Sequence, residues 1–292
     1  MGGMKTMTIT TDASFGINDL KSQMPIKGCP VKGCNKEPIH VRKFPVCSTH
    51  GLEIHPKTYI YYNGESPDEK KQARLRNFLP FGRKFIAEKI LGNRHKAESN
   101  RLGSENSEDA LTWNIFGGLL YYKRIHYIYN NMTGEHASPN ELKLYLWGLE
   151  IDFNTQQAAE PWYRLLEVRD KLEPDIKNFH TEPDIMILGP THLVCIEAKF
   201  TSGNPIALNK NEDAKNGVKP KSRNGIIKRY VRPIQINDKW LYPDIKPKQL
   251  RDKVHSQLLR MLIFTSAMAK LEGHRWIVAN LVSKTQWDKK KT

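Results

Sequence analysis

Asp184, Glu197 and Lys199 stand in residues 181–200, TEPDIMILGPTHLVCIEAKF, at a spacing that can gather them into one small site. One residue separates Glu197 from Lys199, so on a strand both side chains point to the same face. Two convergent carboxylates hold a hard divalent cation such as Mg²⁺ (or Mn²⁺) through oxygen ligands and leave positions for water and a phosphate oxygen. A lysine beside them can orient the attacking water or stabilise the charge that builds on phosphorus. Most Glu-x-Lys triplets are surface ion pairs. Here, however, the charges end an almost continuous apolar run, and a solvated edge would not carry ILG and LVCI on its flanks.

A second constellation is Cys29-Pro-Val-Lys-Gly-Cys34 followed by Cys47-Ser-Thr-His50, a C-x4-C-x12-C-x2-H spacing with Gly33 in a knuckle-like position. Four soft or borderline ligands in two close pairs suit tetrahedral Zn²⁺, and a closed four-ligand site is normally structural. His40 and His55 are nearby spare ligands, which makes His50 the most replaceable of the four. The alternative is a disulfide. The N-terminal MGGMKTMTITTDASFG has no apolar signal region, so a cytoplasmic, thiol-reducing location is expected and metal is favoured.

The elements that must position these residues follow from pattern. Residues 185–188 and 193–200 are rich in Ile, Leu, Val and Phe, and Gly189-Pro190 between them is a turn signal, which predicts an antiparallel hairpin bringing Asp184 back to Glu197 and Lys199. Ile196 and Ala198 then face a core. Upstream, Ser107 is a good N-cap with Glu108 and Asp109 in the first turn, and Leu111, Ile115 and Leu119 recur at helical spacing. Residues 142–153 alternate as a strand, 156–172 read as helix, 248–273 as a largely apolar helix ending at Gly273, and 276–282 as a strand. Residues 81–91 read as a basic helix and 59–62 as a short strand packing the cysteine module onto the core.

Pro183-Asp184, twelve residues, then Glu197-Ala198-Lys199 resembles the signature of the PD-(D/E)XK, restriction-endonuclease-like, nuclease superfamily. The resemblance implies an α/β fold with an αβββαβ core and Mg²⁺-dependent hydrolysis of phosphodiester bonds in DNA. It implies that Asp184 and Glu197 ligate the metal with a backbone carbonyl near Ala198, and that Lys199 positions the nucleophile. It also implies an acidic residue from the first core helix: Glu108 by position, with Glu105 and Asp109 as neighbouring alternatives. Gln257 and Arg260 stand three apart near the start of the last helix, where members of the superfamily carry a Gln or a basic residue supporting the lysine or a phosphate. The cysteine module is similar to small CxxxxC…CxxH zinc fingers found beside nuclease domains. The expected organisation is an N-terminal segment 1–24, a zinc module 25–56, a basic connecting region 57–104 and the nuclease-like domain 105–292.

Composition bounds the partner. The 292-residue chain carries a formal net charge of +15, which favours an anionic polymer. No apolar run reaches the roughly 20 residues needed to cross a bilayer, so no membrane role is expected. Between residues 201 and 253, thirteen Lys or Arg face five Asp or Glu, with Tyr230, Trp240 and Tyr242 interleaved. Lys219, Lys221, Arg223, Lys228 and Arg229 are the expected phosphate contacts there, with Arg260 beyond them. Restriction, anti-phage defence and a mobile element all fit. A non-catalytic DNA-binding protein on a nuclease-like scaffold and an RNA-directed nuclease are the alternatives; retention of all three charged residues argues against the scaffold. Homo-oligomers and larger complexes with other proteins stay open.

Overall fold

The computed structural model describes residues 28–41, 43–56, 58–90, 100–104, 107–155, 159–174, 181–199 and 256–282. They form a mixed α/β protein with two sheets. In the smaller sheet β1 (Val46–Cys47), β2 (Leu52–His55) and β3 (Thr58–Tyr61) pair antiparallel in that order. β3 is the strand expected near residues 59–62; it belongs to the cysteine module's own sheet, which therefore runs past residue 56. α1 (Pro67–Leu75) follows, its start fixed by a capping box: Glu69 N–H donates to Ser66 Oγ at 3.3 Å and Ser66 N–H donates to the Glu69 carboxylate at 2.9 Å. α2 (Pro80–Phe85) runs into a π turn, Ile86–Ile90, filling the helix expected over 81–91.

α3 begins at Glu108 (Glu108–Thr112), with Ser107 Oγ accepting the Ala110 N–H at 3.1 Å, and continues through a π turn, Trp113–Gly117, into Gly118–Tyr121. After α4 (Ile125–Thr133) comes the larger sheet: β4 (Lys143–Leu146), β5 (Leu149–Glu150), β6 (Ile185–Leu188), β7 (His192–Lys199) and β8 (Arg275–Val282), in spatial order β5-β4-β6-β7-β8. The pairs are antiparallel except β7 with β8, which is parallel. α5 (Tyr163–Leu172) falls between β5 and β6 in the chain, and α6 (Ser256–Glu272) precedes β8 and packs on both β7 and β8. The order from α3 is thus helix, strand, strand, strand, helix, strand, with the short β5, α4 and α5 as additions.

Residues 142–153 differ from expectation: they form a hairpin rather than one strand. Trp147 and Gly148 both take positive φ, 55° and 80°, as a type I′ two-residue turn requires, so the run reverses after Leu146.

Alternation along β6 and β7 separates two cores. Ile185, Ile187, Val194, Ile196 and Ala198 face one side, where α3 and α4 contribute Trp113, Phe116, Ile125 and Tyr129. Met186, Leu193 and Cys195 face the other, against Leu165 and Val168 of α5 and Phe264 and Met268 of α6. The β6-β7 turn is pinned from outside. Gly189 lies so close to the Tyr129 ring that a Cβ there would sit 2.3 Å from it, while His192 N–H donates to Tyr129 Oη at 3.0 Å. The turn that the sequence predicted is therefore also a packing joint, and it sets the register at the strands' far end.

Candidate active site and metal cluster

The Ile185–Ile196 pairing fixes everything that follows. One step beyond it, Asp184 comes opposite Glu197 on the face shared with Lys199, since paired residues project to the same side. The Ala198 N–H donates to Asp184 Oδ2 at 2.9 Å, and the Trp147 N–H donates to the Asp184 carbonyl at 3.1 Å, so the residue is held from β7 and from the β4-β5 turn. Lys199 Nζ reaches Glu197 Oε1 at 2.7 Å and Asp184 Oδ2 at 3.8 Å. The hairpin thus brings all three predicted residues together. Glu197 is 6% exposed and Lys199 9%.

Burial, and after it the Glu197 carboxylate, pushes the Asp184 carboxyl up to about 7 against the opposing pull of Lys199 and the Ala198 N–H. Burial pulls the Lys199 ammonium down, but Asp184 and Glu197 more than offset it and keep its pKa above the ordinary lysine value. Two carboxylates crowded in a shielded corner with one ammonium between them are short of positive charge, and the donor set is all hard oxygen. These residues fit a divalent cation.

The first turn of α3 approaches the same corner, packed against β7. Glu108 adds to the field that raises the Lys199 pKa, and Asp109 to the field that raises that of Asp184. Both first-turn acids therefore act on the site, Asp109 as well as the Glu108 chosen by position; Glu105 lies outside the described residues. Asn280 on β8 registers with Glu197 and is exposed. Sequence reasoning passed over it, although it is the one polar residue inside IVANLV.

Gln257 is half-buried on the first turn of α6. Arg260 is engaged inside the protein. Its guanidinium donates to Thr181 Oγ1 at 3.0 and 2.7 Å and lies 3.4 Å from Glu173 Oε1. Glu173 is buried and accepts the Thr181 N–H at 2.8 Å; Arg169 donates twice to the Thr181 carbonyl, at 3.1 and 3.0 Å. This ionic knot ties α5 and α6 to the segment that delivers Pro183-Asp184. Arg260 is thus held by Thr181 and Glu173 within the protein. Lys219, Lys221, Arg223, Lys228 and Arg229 lie outside the described residues.

In the cysteine module, Cys29, Cys34, Cys47 and His50 converge with their ligand atoms all within 4.8 Å of one another. Cys34 Sγ to Cys47 Sγ is 3.8 Å, and His50 Nδ1 lies 3.4 Å from Cys29 Sγ and 3.6 Å from Cys47 Sγ. Zn–S bonds of about 2.3 Å and Zn–N bonds of about 2.0 Å give tetrahedral edges of roughly 3.8 Å between sulfurs and roughly 3.5 Å from sulfur to nitrogen. The cluster could therefore hold a metal such as zinc. The thiols share protons: burial and the neighbouring Cys47 and Cys34 push Cys29 up, while hydrogen bonds from His50, Cys29 and Cys34 outweigh burial at Cys47 and pull it down, so the cluster favours one thiolate, at Cys47. His55 pairs with Glu53 at 2.7 Å and packs on Phe44 instead. Arg76, at the end of α1, donates to the carbonyls of His50 at 2.8 Å and Gly51 at 3.1 Å while lying over the Tyr61 ring.

Among the described residues no helix is long and apolar enough to cross a membrane. Comparison with models of known families, with curated proteins and with solved structures found no match.

Proposed function

We propose that this chain is a metal-dependent nuclease of the PD-(D/E)XK type acting on DNA, with a zinc-stabilised N-terminal module. The observation that carries the reading is the register. It sets Asp184 opposite Glu197, with Lys199 Nζ within 4 Å of both carboxylates, at the end of a buried hairpin. The succession of α3, β4, β6, β7, α6 and β8 supports it, as does the approach of Glu108 and Asp109 to the same corner.

In this reading Asp184 and Glu197 hold Mg²⁺, with Glu108 or Asp109 completing the shell directly or through water. Bound Mg²⁺ supplies polarisation of a phosphoryl oxygen and a more acidic water. Lys199, which contacts Glu197 Oε1 at 2.7 Å, would orient the attacking water and offset the developing negative charge. Gln257, at the start of α6, would support the lysine or a phosphate. The basic segment 201–253 and the cysteine module hold the polymer by its phosphates, consistent with the net charge of +15.

Supercoiled plasmid, linear duplex and single-stranded DNA, each incubated with Mg²⁺ present or omitted, test the reading. It expects Mg²⁺-dependent breakage of at least one of the three. Intact DNA in every arm, with the protein folded and its cysteine cluster loaded, would overturn it.

A further inference from the structure

The far end of α3 carries a surface that the proposed cleavage site does not use. The stretch 121–127 reads YYKRIHY and contains no acidic residue. Tyr121 is 48%, Tyr122 64% and Tyr127 59% exposed, and Lys123 and Arg124 between them are exposed as well. These rings are propped from below. Tyr121 stacks on Phe81 at 5.2 Å and meets Phe153 edge-on at 5.4 Å, Tyr122 meets Tyr121 edge-on at 5.1 Å, and the His126 and Tyr127 rings lie 4.1 Å apart. Lys84 of α2 is exposed three residues after Phe81.

The backbone adds a second observation. Arg124 N–H donates to the Leu119 carbonyl at 2.6 Å and Lys123 N–H to the Leu120 carbonyl at 2.9 Å, the bond pair of a Schellman helix stop, with Lys123 in the left-handed position at φ 56°. That position favours glycine, and a side chain there costs stability. The fold would stop this helix more cheaply with Gly. Lys123 keeps a cation at this exposed turn, next in sequence to Tyr122, at that cost in stability.

We propose that Tyr122, Lys123, Arg124 and Tyr127 form a stacking platform for unpaired bases of a nucleic-acid strand. The rings stack on bases and the cations neutralise the adjoining phosphates, the combination that grips single strands without reading their sequence. Tyr121 lies thirteen steps after Glu108 along α3, about 20 Å at roughly 1.5 Å per step. A strand leaving the carboxylate corner reaches the platform within a few nucleotides. The inference stands independently of cleavage, because binding is measured without it.

The test uses the full, metal-loaded chain without added Mg²⁺ and measures fluorescence anisotropy with labelled oligo-dT, oligo-U and a duplex of equal length. Tyr122→Ala weakens single-strand binding about tenfold and leaves duplex binding within about twofold, while Tyr122→Phe restores it. Lys123→Gly moves two readouts in opposite directions: the melting temperature rises by about 2 °C and single-strand affinity falls severalfold at low salt. Loss on oligo-dT, oligo-U or both supports the platform and names its polymer. Unchanged single-strand binding in Tyr122→Ala, as expected if the patch serves a protein partner, or an equal loss on duplex, would overturn it.

Discussion

Asp184 is the residue whose chemistry depends most on what surrounds it. Buried and facing a second carboxylate, it holds its proton up to about 7, well above the ordinary aspartate value near 3.9. The sign of the consequence is fixed by linkage. A carboxyl whose folded pKa is raised contributes stability that is fully present below the unfolded value and is lost as pH rises through about 7. Without divalent cation, Asp184→Asn should therefore gain melting temperature relative to the native chain on going from pH 5 to pH 8, and added Mg²⁺ should stabilise the native chain more at pH 8 than at pH 5. A difference that is flat with pH, in a thermal-shift series, would mean the carboxylates are not crowded. The identities of Asp184, Glu197 and Lys199 were legible because a period of two and a Gly-Pro turn suffice to predict their meeting. Asn280 was not, since a lone polar residue on a strand has an ordinary solvent role, and Asp109 was legible only as an alternative to Glu108, since any acid in a helix's first turn serves the dipole.

At the scale of elements, the hairpin, α3 and α6 could be read from turn, cap and apolar signals, because each is a local pattern. The β4-β5 turn could not. It places a tryptophan at positive φ, against its intrinsic preference, and tertiary packing of the buried Trp147 decides the matter. Nor did the sequence single out Arg76, whose partners are backbone carbonyls 25 and 26 residues away. That arginine joins α1 to the knuckle carrying His50. Hydrogen bonds from a charged donor contribute about 1.5–3 kcal/mol each when well placed. Arg76→Ala should thus accelerate loss of the bound metal to a chromogenic chelator severalfold, and elemental analysis of the native chain should find about one zinc per chain. Equal release rates in the two proteins would show the clasp to be incidental; a preparation without zinc would dismiss the metal itself.

Across the whole molecule, charge and architecture divide the labour. The net charge of +15 would attract an anionic polymer over a Debye length of about 8 Å, a pull that by itself selects no position along it. Carboxylates, an ammonium and shielding from water coincide at the end of β6 and β7, and in the proposed function this corner would select the reacting phosphate. The smaller sheet is clasped through Arg76 and linked to the residues ahead of α3 where Thr58 Oγ1 lies 3.2 Å from Ser104 Oγ. The central claim is that the corner catalyses cleavage, and single-turnover nicking of supercoiled plasmid in Mg²⁺ tests it most directly. Glu197→Gln and Lys199→Met, which keep side-chain volume and leave the hairpin register in place, should lower the nicking rate by a factor on the order of 10² or more with melting temperatures within a few degrees of the native chain. Nicking at the native rate by both folded variants would contradict it.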